Sequence, residues 1–374
     1  LIFLPFVAIF GYSVTAQLCG LVLFAILFAA GLMYMARGMG YSYTVSGGFV
    51  SVVMLVLSNS SKLLEIMWEH IFYYNLGLLF FCFGFGLVLR ILRKNETAKS
   101  PAESQTRSTV RVLVLAVFSF VAATNGLQAL VCFTLPLMAG FAAEMFFNGE
   151  RKLLDRKNYN SWILIGGVFL FSMLGFGMID KISGGVTAGY ADAYSAYSSI
   201  STWANNFLNF FNNWFTLIGV SVADGDPLAS SESVINILRM VGAIVLLVAP
   251  IILACRYNKI KSAALKAVLI GHFAVSAFII FATVCGKLGG ANWRLVPMLG
   301  TSVMVTYFAA IELKQQASVV AARFGCLILA VLIGMSAFGG AAVMSCDPDS
   351  DRSNSWHTSA RVLEEKGLKY GYAN

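Results

Sequence analysis

Long apolar runs separated by short polar connections fill most of this chain. The runs lie at about 1–12, 15–36, 43–58, 71–91, 110–124, 127–148, 161–179, 234–254, 263–285, 294–312 and 322–343. A helix needs about 20 apolar residues to cross a hydrocarbon layer of roughly 30 Å. Most of the runs meet that length, while 43–58 and 110–124 are short enough to be partial or re-entrant segments. The pattern predicts an all-α polytopic transmembrane helix bundle over 1–343, with about 9–11 spans.

Two stretches break the pattern. The connection 180–233 is far longer than neighbouring helices require, and it contains TWANNFLNFFNNWFTLIG. There Trp203, Phe207, Phe210, Phe211, Trp214, Phe215 and Ile218 share one helical face, with Asn205, Asn206, Asn209, Asn212 and Asn213 opposite. An amphipathic helix over 203–218 is expected, either lying in the outer leaflet or packed on the bundle as a roof. After Met344 the chain turns polar. Ser355 or Asn354 can cap a short helix presenting Trp356, Ala360 and Leu363, Gly367 stops it, and LKYGYA alternates like a strand. Residues 345–374 are therefore expected to begin a small αβ extracytoplasmic domain. The sequence opens at Leu1 inside an apolar run and ends at LKYGYAN, as a fragment would.

Composition agrees with the hydropathy pattern. Of 374 residues 58% are hydrophobic and 12% charged, and a soluble chain would need about a quarter charged to cover its surface. The net charge of +8 resides mostly in short connections, so it reports orientation and not nucleic-acid binding. Alternate connections carry Arg37; Arg93, Lys94, Lys99 and Arg107; Arg151, Lys152, Arg156 and Lys157; Arg256, Lys259 and Lys261; and Lys314. By the positive-inside rule these face the cytoplasm. KNETAKSPAESQTRST, 94–109, is polar, has no aromatic residue and is expected to be a flexible loop. The expected location is the bacterial inner membrane. The seven cysteines form no CxxC pair; Cys285 and Cys346 both fall near the outer face, where they can pair or remain ordinary thiols.

The outer connections hold the candidate chemistry. GKLGGANWRLVP carries Lys287 and Arg294, against the orientation rule, around Trp293 and just ahead of Pro297. An Arg fork and a Lys point charge at headgroup depth suit the phosphate of a lipid-linked donor, although both also snorkel to ordinary phospholipid. Arg239, at the outer end of 234–254, is a third candidate. In KLLEIMWEHIFYYNLG, 62–77, Glu65 and Glu69 lie one turn apart beside Trp68 and His70; Glu69 and His70 are the acid–base candidates, and an interfacial boundary has the same composition. Asp224 and Asp226 in ADGDP are placed either to share a divalent cation or to make a turn. No other cofactor is expected. His272 is a mid-span ionisable residue, and Asn125–Gly126 interrupts VAATNGLQALVCFTLPLMAG.

TNGLQALVCFTLPL, WEHIFYYNLGLLF and LEEKGLKYGYAN resemble a group of large bacterial membrane proteins. That group in turn resembles the GT-C superfamily of polyprenyl-phosphate-sugar glycosyltransferases, which includes protein mannosyltransferases and lipid A aminoarabinose transferases. The resemblance implies an outward-facing inverting transferase with a lipid-linked sugar phosphate donor. It also implies a catalytic acid in the first outer loop. The turn at 11–13 contains no acid, so either that role falls to sequence ahead of Leu1 or to Glu69, or the chain is not a transferase. An O-antigen polymerase or ligase needs similar outer cations. A transporter or flippase of envelope precursors would instead need paired broken helices.

Overall fold

The computed structural model describes residues 4–11, 13–69, 74–93, 101–148, 159–183, 196–222, 227, 229–287, 290–316, 318–344, 362 and 365. Among them the protein is an all-α bundle. Its helices are α1 (Leu4–Phe10), α2 (Val14–Gly38), α3 (Tyr43–Val56), α4 (Ser61–Leu64), α5 (Tyr74–Arg93), α6 (Pro101–Ala123), α7 (Leu127–Ala129) and α8 (Leu135–Asn148). They continue with α9 (Tyr159–Ser183), α10 (Ile200–Leu217), α11 (Ser231–Cys255), α12 (Ala263–Cys285), α13 (Val296–Lys314) and α14 (Val319–Met344). Wide π-turns extend α4 over Glu65–Glu69 and join α7 to α8 over Leu130–Thr134.

Eight helical stretches are long and apolar enough to cross a membrane, and nine if the bent pair α3–α4 counts as one span. The chain is thus a multi-pass membrane protein. The count falls at or below the low end of the expected 9–11 for reasons of length. α3 has 14 residues, about 21 Å of rise, before the chain turns by 110° into 61–68. The apolar part of α6, Thr109–Ala123, is equally short, and α1 has seven residues. The stretch 94–109 is not wholly a loop, because α6 already begins at Pro101, a residue whose fixed φ and missing N–H suit a first helical position. No sheet occurs among the described residues, whose β feature is one isolated bridge between Tyr197 and Gly286. The expected αβ domain at 345–374 lies outside the described residues, apart from helical Val362 and Glu365.

Serine starts many of these helices. Ser13, Ser42, Ser60, Ser230 and Ser262 each accept a bond from the backbone N–H three residues on, at 3.0–3.3 Å. Each thereby satisfies a donor that the first helical turn leaves unpaired. α13 forms the axis. Every residue from Val296 to Ala310 is buried, against α3, α5, α11, α12 and α14. Around it the usual soluble arrangement is inverted. Ile163, Leu170 and Leu174 on α9, and Ile244, Ile251 and Ile252 on α11, face outward where lipid solvates them. α8 and α12 come close at Gly140, where any Cβ would stand 2.3 Å from the Ala267 carbonyl oxygen. Small residues at such crossings let backbones pack without side chains between them.

The mid-span His272 is absorbed by this packing. Its Nδ1 lies 2.9 Å from Thr301 Oγ1, and its Nε2 lies 3.5 Å from Ser276 Oγ. Thr301 also donates back to the Pro297 carbonyl at 3.0 Å. A neutral ring with the proton on Nδ1 satisfies all of these bonds at once.

The corner between α3 and α4 is tied to the corner after α10. Asn59 Nδ2 donates to the Ile218 carbonyl at 3.2 Å, and Ser60 Oγ donates to that of Leu217 at 2.7 Å. Arg239 closes the clamp, donating from Nη2 to Asn59 O at 2.8 Å and from Nη1 to Gly219 O at 3.1 Å. Gly219 has φ +88°, and a Cβ there would stand 2.8 Å from Ser60 Cβ. Gly219→Ala is therefore expected to cost about 1–3 kcal/mol, read as a lower melting temperature in detergent. An unchanged melt would show that the corner relaxes freely.

Candidate functional site

The predicted amphipathic helix is α10, and it packs on the bundle. Trp214 is fully buried and donates its indole N–H to Ala243 O at 3.0 Å. The buried stripe runs through Phe210, Asn213, Trp214 and Leu217, while Phe207 and Phe211 are exposed. This face is rotated from the expected aromatic one. Asn206, assigned to the polar side, turns inward and donates to Val284 O at 2.9 Å, satisfying a carbonyl in the last turn of α12.

Just ahead of α10, residues 196–198 are stitched to the end of α12. Ser198 N–H donates to Cys285 O at 2.8 Å, and Lys287 N–H donates to Ala196 O at 3.2 Å. α10 also packs on the short 3₁₀ turn Asn292–Leu295 that carries Trp293 and Arg294. These contacts shape a cavity of about 430 Å³. Its polar lining includes Gln128, Tyr197 and Arg294. Its wall is apolar, with Leu127, Val131 and Leu135 on one side and Phe278, Ile279 and Phe281 on the other. Leu127 and Phe281 are 62% and 54% exposed, so the wall continues onto the lipid-facing surface.

The π-turn sets one side of this cavity. One extra residue per turn at Leu130–Thr134 re-aims the side chains that follow, and Gln128, Val131, Cys132 and Leu135 all line the space. Gln128 is buried. Its Oε1 accepts from Asn125 Nδ2 at 3.0 Å, but its Nε2 has no partner among the described residues. Arg294 is half-buried, and its guanidinium makes no hydrogen bond or ion pair among the described residues. A cavity therefore presents one cation and one buried amide donor, both without acceptors among the described residues. Groups so placed suit an anionic or strongly hydrogen-bonding ligand.

The other expected residues fall in different places. Trp293 stands beside Arg294, with Lys62 Nζ 5.4 Å from its ring centroid. Lys62 in turn pairs with Glu65 at 2.8 Å, which brings the 62–69 segment next to the 3₁₀ turn. Glu69 ends the π-turn of that segment. The Lys287 backbone is pinned at the rim while the residue is exposed, and its side chain is not part of the lining. Arg239 spends two donors on the corner clamp. His70, Asp224 and Asp226 lie outside the described residues, as does Cys346; Cys285 is buried in the cavity wall. Among the described residues no three His, Cys, Asp or Glu gather to hold a metal ion. Sequence reasoning passed over Gln128 although it stopped at the adjoining Asn125–Gly126 break. The available signal was a polar residue sharing one stripe with Val131, Cys132 and Leu135.

Compared with protein-family models, with curated proteins and with solved structures, the chain matches none of them.

Proposed function

We propose that the protein is a cell-envelope glycosyltransferase that takes a sugar from a polyprenyl-phosphate donor, with the donor phosphate held in the Arg294 cavity. One observation carries the reading: a guanidinium and a buried amide donor, both unpaired among the described residues, share a cavity whose apolar wall runs out to the lipid-facing surface. A lipid phosphate has that same division, with an anion at one end and a hydrocarbon chain at the other. The charge asymmetry of the connections supports an outward-facing site.

In this reading an acceptor hydroxyl oxygen attacks the anomeric carbon of the sugar. The bond from that carbon to the phosphate oxygen breaks, and its electron pair stays on the phosphate. Arg294 stabilises the developing charge without having to reorganise. The hydroxyl proton passes to a carboxylate, a role for which Glu69 is the candidate, in the segment whose Lys62 stands over the Trp293 ring. The direct test is sugar transfer by the purified protein, given a prenyl-phosphate sugar and membrane acceptor lipids. Release of prenyl phosphate together with a glycosylated product is expected, and no transfer across a range of donors would contradict the reading.

A second reading is a flippase of the same lipid phosphates, for which the 110° break between α3 and α4 supplies one broken helix of the pair required, with no counterpart among the described residues. Reconstituted vesicles separate the two, since a flippase moves labelled lipid across the bilayer without cleaving it.

Gln128 supplies a finer test. Gln128→Met removes a buried donor that has no partner among the described residues, together with the Oε1 that accepts from Asn125, so the melting temperature should fall by no more than that one hydrogen bond is worth, about 1 kcal/mol. Affinity for a prenyl phosphate, by contrast, should fall about tenfold, the worth of one hydrogen bond to a charged group. Unchanged affinity would remove Gln128 from the site.

A further inference from the structure

A second cationic cavity lies near the far end of α2 and α5. Arg90 is 13 residues beyond Gly77, which packs against Gln128 and Cys132, so about 20 Å of helix rise separates it from the first site. This cavity, of about 470 Å³, is lined by Ala30, Met33, Tyr34, Arg37, Tyr43 and Arg90. Each arginine is stacked on a tyrosine. Arg37 Cζ stands 3.9 Å from the Tyr43 ring centroid, and Arg90 Cζ stands 4.1 Å from that of Tyr34. Tyr34 reaches this position because Gly86 has no side chain, a Cβ there meeting the Tyr34 ring at 2.6 Å.

Stacking fixes each guanidinium plane and leaves its edge donors available. Few of those donors are used. Arg37 Nη1 donates to the Tyr41 carbonyl, and Arg90 Nε is buried with no partner among the described residues. Among the described residues no acid lines the cavity. Two fixed cations and a buried orphan donor thus border a space large enough for a phosphate group, and hydrocarbon-facing helices surround it.

We propose that this cavity binds the phosphate of an anionic phospholipid headgroup. The two stacked forks hold the phosphate oxygens, while the acyl chains lie along the outward apolar surface of α2, where Val22 and Ile26 are exposed. The site is independent of the transferase reading.

The test uses the full chain in detergent with phosphatidylglycerol and phosphatidylcholine of matched acyl chains, counting retained lipid by native mass spectrometry. The wild type should retain phosphatidylglycerol at least about tenfold better, as two cations at a membrane surface imply. The double variant R37Q/R90Q should show no preference. Ala30→Trp, which fills the space and keeps both arginines, should lose it too. No headgroup preference in the wild type would overturn the proposal, as would full preference in both variants. Inorganic phosphate that displaced the lipid at equal concentration would also overturn it, by identifying a soluble anion as the ligand.

Discussion

Arg294→Gln is expected to lower sugar transfer by about 10²–10³-fold, the usual consequence of removing one preorganised charge from a site where anionic charge develops. The expected size follows from the setting. The guanidinium borders a cavity with apolar walls and has no carboxylate beside it among the described residues. Its field is therefore neither neutralised by protein nor fully screened by water. Arg294→Lys keeps the charge but loses the planar fork, so an intermediate loss is expected, about tenfold. Both variants should melt where the wild type does, because the side chain contributes no described hydrogen bond to the fold. Wild-type turnover in Arg294→Gln would detach the chemistry from this cavity. A lower melting temperature matching the loss of turnover would mark the residue as structural.

Arg239→Ala should act in the opposite way, on stability first. It removes two hydrogen bonds from a charged donor, at 2.8 and 3.1 Å, and leaves the carbonyls of Asn59 and Gly219 to find other partners. A loss of about 3 kcal/mol is expected, seen as a clearly lower melting temperature in detergent. Tryptophan fluorescence should change with it, since Trp214 lies on the helix that the clamp fixes and bonds to Ala243 on the same helix as Arg239. Transfer should fall less than in Arg294→Gln, because Arg239 does not line the cavity and acts on it through the helices it clamps. A stable Arg239→Ala protein with abolished donor binding would instead make Arg239 a ligand contact.

The contrast between the two arginines shows what the sequence carried. Both read alike, as cations at the outer ends of apolar runs. Their difference arises from partners far away in the chain: Asn59 is 180 residues from Arg239, and no local pattern encodes that contact. Span positions were legible because hydropathy over 20 residues is a local quantity, and α2, α12 and α13 lie close to the runs that predicted them. The length of 43–58 marked it as a partial or re-entrant segment, but the 110° corner after α3 and the π-turn at Leu130–Thr134 were not legible in detail, since each depends on what packs beside it. α10 lies between these cases. Its existence followed from aromatic spacing, but its rotation is set by Val284 and Ala243, whose carbonyls it satisfies. Gln128 was hidden for a similar reason: only the packed structure shows its amide donor without a partner.

The most direct measurement is a cryo-electron microscopy structure of the protein with a prenyl phosphate bound. The account predicts phosphate density inside the cavity, with oxygens about 2.8 Å from the Arg294 guanidinium nitrogens and the prenyl chain leaving past Leu127 and Phe281. Phosphate density elsewhere on the protein, with this cavity empty, would contradict it.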